Sequence, residues 1–167
     1  MQASAHHYEE ARQLLDEVDG LAGKRAASEP VLALHAALAR GMLHSQRFEI
    51  EPMLRDYAAA DALQRQAYPD DASLAYAIRS QLVDAHLRQG DVDAAETVAR
   101  QMLADPLLGE PRIGKAARAN AHVQLARVLR RRDKPEEALA EAETAAPVLE
   151  SVLGARHPRT LDNLSVL

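Results

Sequence analysis

The sequence predicts an all-α chain of helix pairs that recur along its length and stack on one another. Three observations carry this. First, apolar residues fall at spacings of three and four in most segments. The pattern is clearest from Arg79 to Asp105, where Leu82, Val83, Ala85, His86 and Leu87 precede Gly90, and Val92, Ala95, Val98, Ala99, Met102 and Leu103 follow it. Second, the pattern repeats: Ala95 and Ala138 lie 43 residues apart, as do Leu82 and Leu125. Third, no segment alternates apolar and polar residues between hairpin turns.

The elements follow in order. Residues 8–20 begin with the amphipathic stretch Tyr8 to Val18, with Ala11, Leu14, Leu15 and Val18 on one face. The breakers of 20–30 read as a connection. The first full repeat spans 31–67. Its helix Val31 to His44 has Leu34, Ala37, Leu38 and Met42 as candidate core, Ser45 to Arg47 form a turn, and a second helix runs from Phe48 to Ala67. Pro52 falls in the opening turn of that helix, where a missing N–H costs little. The loop Tyr68 to Ser73 caps the next helix.

The second repeat is 74–104, with helices Leu74 to Gln89 and Val92 to Ala104 around Gly90. A Pro/Gly connection from Asp105 to Gly114 leads to the third repeat, 115–152, whose helices are Lys115 to Arg132 and Pro135 to Val152. Asp133 and Glu136 have capping-box spacing. Pro147 should kink that second helix or end its first half, at ~3 kcal/mol if the backbone does not adapt. Gly154 to His157 form a turn, and 158–167 start a further repeat that the chain does not finish. Beginning on a second helix and stopping in a first one, the sequence reads as a piece of a larger protein.

Composition agrees with this fold. Hydrophobic residues make up 47% and aromatics only 3%, with no Trp, so the apolar content is mostly Ala, Leu and Val. Ala and Leu favour helix and let helices approach closely. A helix pair cannot bury its apolar face alone; stacked neighbours make a continuous core and a superhelix with a concave side. The net charge of −5 argues against general nucleic-acid binding, and the absence of Cys removes disulfides, thiolate nucleophiles and Cys-ligated zinc. No apolar run reaches the ~20 residues of a membrane span and the N-terminus has no signal-peptide core, so a cytoplasmic protein that meets neither membrane nor nucleic acid is expected.

The repeated positions resemble the tetratricopeptide repeat (TPR). Leu82, Val83 and His86 stand in the first helix, Gly90 at the turn, and Ala95, Ala99 and Met102 in the second helix. Leu125, Ala126, Leu129, Asp133, Ala138, Ala142 and Ala145 do the same one repeat later. The earlier repeat aligns as Ser45, Ile50, Leu54 and Tyr57, with Ser45 in place of the glycine. The period above the usual 34, Glu49 to Ala58, and Leu149 to Leu164 with its Gly and His-Pro are similar to the kinesin-light-chain subtype. The resemblance implies a TPR-like solenoid, antiparallel helix pairs stacked into a right-handed α-α superhelix. It also implies a non-catalytic role in binding proteins or peptides, as in TPR regions attached to bacterial kinases and transcriptional regulators.

Family geometry puts first helices along the groove. That makes Gln81, Asp84 and Arg88, then Asn120, Gln124, Arg127 and Arg131, candidates to hold a peptide, with His35, Ala39 and Met42 from the earlier repeat. An ordinary solvated helix face would give the same residue types, with surface ion pairs contributing only ~0–1 kcal/mol. The cluster Arg130, Arg131, Arg132 and Lys134 reads as a solvated turn or as charge complementing a helix C-terminus. His86 and His122 sit at helix-packing positions, and the dispersed histidines have no metal-ligand spacing. Asp91 to Glu96 lacks the glycine of a calcium loop and reads as a helix cap. No nucleotide-binding or hydrolase motif is present, so neither cofactor nor catalytic residues are expected. The alternative is a self-associating module, a homo-oligomer joined at terminal repeat edges through Leu161, Leu164 and Leu167.

Overall fold

The computed structural model describes residues 9–10, 12–17, 20, 29–106, 114–158, 160 and 163. Its regular structure, among those residues, is entirely helical. The chain divides into two compact units, Met1–Pro69 and Asp70–Leu167.

In the first unit α1 spans Pro30–Gln46 and α2 spans Ile50–Ala67. The tight connection between them returns the chain, with Glu49 N donating to His44 O at 3.0 Å. Phe48 takes φ 60° there, which keeps it out of the helix, so α2 starts two residues later than the apolar pattern suggests. Pro52 does lie in the first turn of α2. Leu34 and Ala37 are buried as expected, and Leu38 is half-buried. Met42 is 59% exposed and Leu14 61% exposed, against expectation, because other residues take the packing positions. Gly41 is one of these, its backbone lying against the ring of Tyr57.

The second unit holds α3 Ala72–Gln89, α4 Val92–Ala104, α5 Gly114–Arg131 and α6 Pro135–Leu153. Asp71 caps α3, its carboxylate accepting from Leu74 N at 2.9 Å. Asp91 caps α4 by accepting from Ala94 N at 3.0 Å, which is the role assigned to this acidic stretch. Such caps contribute about 1 kcal/mol each. Val83, Ala95, Ala99, Met102, Ala121, Leu125, Val128, Leu129 and Ala138 form a core shared by all four helices. Ala119, Val123, Ala145 and Leu149 form a second cluster between α5 and α6.

The three helix turns correct the sequence register. Positive φ occurs at Phe48 (60°), Gly90 (85°) and Asp133 (58°), each one residue before the N-cap of the following helix. Phe48, not Ser45, is therefore the counterpart of Gly90. The equivalent buried residues are Met53, Ala95 and Ala138, then Tyr57, Ala99 and Ala142, then Ala60, Met102 and Ala145. Spacings of 42 and 43 residues replace the uneven 45 and 43 that alignment on Ser45 implies. Asp133 is not the N-cap of α6; Lys134 is, without a side-chain cap hydrogen bond. Asp tolerates the left-handed region better than most side chains, which is what the turn asks of it.

Pro147 neither ends nor divides α6, which runs unbroken from Pro135 to Leu153. Pro147 and Glu143, whose carbonyl loses its usual donor, are both exposed, so water can serve that carbonyl. Beyond α6, Gly154 adopts φ 85° and its carbonyl accepts from Thr160 Oγ1 at 3.0 Å. Residues 158, 160 and 163 are helical, and buried Asn163 donates to Ala142 O at 2.9 Å. Ala11, Val18, Leu161, Leu164 and Leu167 lie outside the described residues.

Candidate functional site

In the second unit, α3 and α5 flank a cleft of about 670 Å³. α3 contributes Ser73, Tyr76, Ala77, Ser80, Gln81 and Asp84. These are mostly polar or small because the opposite side of α3 carries the core residues Ile78, Val83 and Ala85. α5 contributes Asn120, Val123, Gln124, Arg127 and Arg130, together with Ala116 and Ala117. A second basin of about 300 Å³ shares Asp84, Arg127 and Arg130 and adds Leu87, Arg88 and Arg131.

All seven residues named from the sequence thus line one face of this unit. Gln81, Asp84, Asn120, Gln124 and Arg127 line the larger cleft, and Arg88 and Arg131 line the basin. Asp84 and Arg127 occupy equivalent positions in successive repeats and pair across the cleft, Nη2 to Oδ1 at 3.0 Å. Arg127 Nη1 also donates to Gln124 Oε1 at 2.8 Å. Both partners of the ion pair are substantially exposed, so the pair contributes at most about 1 kcal/mol. Asn120 and Gln124 are less solvated than a simple groove face implies, at 4% and 9% exposure. Asn120 Nδ2 is turned back to donate to Ala116 O at 2.7 Å.

Ser80 stands apart from its neighbours. It lines the cleft, is 8% exposed, and its hydroxyl has no hydrogen-bond partner. A buried hydroxyl left unpaired costs about 1–3 kcal/mol. Sequence reasoning misses Ser80. The available signal is its repeat position, since the equivalent residue 43 positions later is the apolar Val123. Tyr76 and Ser73 are missed as well, and Arg130 lines the cleft where the sequence suggests a solvated turn.

The remaining candidates are placed as follows. His35 of α1 is exposed and stacks on Tyr68, ring centroids 6.4 Å apart. Ala39 and Met42 line an apolar depression in the first unit with Leu14, Leu15 and Leu43. His122 is half-buried, with Nδ1 2.6 Å from Glu141 Oε2, and His86 is half-buried too. These are packing histidines. Arg132 pairs with Asp93 and with Glu96, and Lys134 with Glu137 at 2.8 Å, so this half of the basic cluster serves the turn. That hydrogen bond from Lys134 holds the Glu137 carboxyl below its usual range. No group of three metal-ligating side chains occurs among the described residues. No helix among them is long and apolar enough to cross a membrane.

The fold is that of TPR-like repeat proteins. BtubC (BKLC) from P. vanneervenii superposes with a TM-score of 0.70 at 17% identity, over 95% of this chain and 62% of that one. The chain therefore spans less than two thirds of that protein. Two structures of a putative kinesin light chain from Podosopora anserina, with nearly identical TPR-like repeats, superpose as well. One of them, a single-substitution form, gives a TM-score of 0.71 at 20% identity, covering 98% of this chain and 77% of that one. The other gives 0.63 at 16%, covering 99% and 81%. No family model and no curated protein matches the sequence.

Proposed function

We propose that this chain is a non-catalytic binding module that holds an extended peptide segment of a protein partner in the cleft between α3 and α5. The observation that carries the reading is the cleft of about 670 Å³ between α3 and α5, lined with the amides of Gln81, Asn120 and Gln124 and with Arg127 and Arg130. A peptide backbone offers amide donors and carbonyl acceptors at short, regular intervals, and such groups complement this lining. Gln81 and Gln124 supply acceptors and donors for the main chain, and Tyr76 and Val123 supply apolar contact for its side chains. The TPR-like fold agrees with such a role.

The test is a peptide array probed with the intact protein and with Ala77→Trp. Ala77 is exposed and lines the cleft, so an indole there fills the cleft without entering the core. Peptides captured by the native protein should be lost from Ala77→Trp at unchanged helical content. If the same peptides are captured equally well, the cleft is not the binding site.

A further inference from the structure

The cleft and the basin follow one another along α3 and α5, and one ion pair stands where they meet. Residues early in both helices, such as Ser73 and Ala116, line only the cleft. Leu87, Arg88 and Arg131, late in the same helices, line only the basin. Asp84 and Arg127 line both, and from opposite walls they touch, Nη2 to Oδ1 at 3.0 Å. Gln124 Oε1 accepts from Nη1 of the same guanidinium at 2.8 Å and steadies its reach across the groove. The repeat singles out this level. The equivalent residues one turn earlier are Gln81 and Gln124, and one turn later Arg88 and Arg131. Of these three levels, only the one at 84 and 127 sets opposite charges against each other.

We propose that the Asp84–Arg127 pair is a bar across the groove that sets how long a peptide segment the protein holds. The inference rests on the peptide-binding reading of the cleft and names what limits the bound segment. From Ser73 to Asp84, α3 rises about 16 Å at 1.5 Å per residue. Extended chain covers about 3.3 Å per residue, so the cleft up to the bar takes about five residues. Continuing to Arg88 adds about 6 Å, room for about two more. A main chain running from the cleft into the basin has to pass between two side chains that touch. The added residues therefore bind only when the pair opens. Both partners are substantially exposed, so keeping the bar shut is worth no more than about a fivefold change in retention. The bar biases the groove toward short segments and yields to longer ones that bind well enough beyond it.

Peptides that the intact native protein captures, cut to about five and extended to about seven residues at either end, test the proposal. The readout is the ratio of long to short retention, which is independent of how each variant holds the short form. The ratio should rise roughly two- to fivefold in Asp84→Ala and in Arg127→Ala. Asp84→Arg combined with Arg127→Asp rebuilds the bar with its charges exchanged and should return the ratio to the native value. In the native protein the ratio should also climb as salt screens the exposed pair, and in Arg127→Ala it should not. Circular dichroism checks the helical content of each variant, and the native salt series decides the matter even if a substitution fails to fold.

An unchanged ratio in both single variants, with Ala77→Trp still eliminating capture, overturns the bar and leaves the peptide cleft standing. A ratio that stays as high in the exchanged pair as in the single variants overturns it too. So does a native ratio that is flat as salt rises. Capture of no peptide by the native protein sinks both readings.

Discussion

Replacing Gly41 by alanine should destabilise the protein, and the same replacement should stabilise it once Tyr57 is gone. A Cβ on Gly41 would lie 3.0 Å from Cε1 and Cζ of Tyr57 and 3.1 Å from Cδ1. Carbon atoms prefer about 3.5–4.0 Å, so the new methyl sits well inside contact distance. Such overpacking costs about 1–3 kcal/mol. Against it, Ala gains about 0.8–1 kcal/mol over Gly in a helix interior. The single substitution should therefore fall between neutral and about 2 kcal/mol destabilising. In a Tyr57→Ala background the clash disappears, and the propensity gain is joined by about 0.8 kcal/mol for burying a methyl. There Gly41→Ala should stabilise by about 1–2 kcal/mol, giving a coupling of about 2 kcal/mol. Urea unfolding of the four proteins measures this, with trimethylamine N-oxide in every sample because Tyr57→Ala alone is costly. The repeat supplies the reasoning: Val83 with Ala99 and Ala126 with Ala142 are the equivalent pairs, all buried, with the bulk divided differently. A Gly41→Ala effect of the same sign and size in both backgrounds would refute it.

Three further outcomes are expected. Gly90→Ala should cost about 1 kcal/mol in urea unfolding, since a Cβ there meets nothing within 4 Å and the loss is purely that of a left-handed residue at φ 85°; no loss would mean the turn rearranges freely. Pro147→Ala should stabilise the protein, by as much as ~3 kcal/mol if α6 is strained at that position, and a thermal melt that does not rise would show that the helix already accommodates the ring. Ser80→Val should raise stability by about 1 kcal/mol in urea unfolding by removing the unpartnered hydroxyl; a less stable variant would show that the site does not accept the apolar side chain.

Helix content, helix pairs and most of the core are legible in the sequence because burial follows a 3.6-residue period whatever the partner. Ala95, Ala99 and Met102 are all buried where the pattern puts them. The turns are less legible. Gly90 announces its own conformation, but Phe48 and Asp133 adopt the same one without glycine, and no local pattern marks a phenylalanine at φ 60°. That is why the sequence aligns the first repeat on Ser45, three residues early. Met42 and Leu14 look like core by spacing and lie exposed, while Gly41, next to Met42, is the residue that packs against Tyr57. The cleft residues are legible as a group, since Gln81, Asp84 and Arg88 recur in register with Gln124, Arg127 and Arg131. Individual roles are not. The turn of Asn120 toward Ala116 O and the isolation of the Ser80 hydroxyl depend on side-chain packing across two helices.

The two first helices of the second unit obey conflicting demands, and their composition records how these are met. On the packed side, Ala75, Ala85, Ala121 and Ala126 let neighbouring helices come close, so the core closes with small residues and few aromatics. On the cleft side, Ser80, Asn120 and Gln124 bury polar groups that an apolar residue would replace at lower cost. Val123, occupying in α5 the position Ser80 occupies in α3, demonstrates that the register accepts such a residue. Folding alone therefore gives no reason for a serine at that point. An unpaired hydroxyl where the register accepts a valine is thus a departure from what stability favours, and it lies on the cleft side of α3.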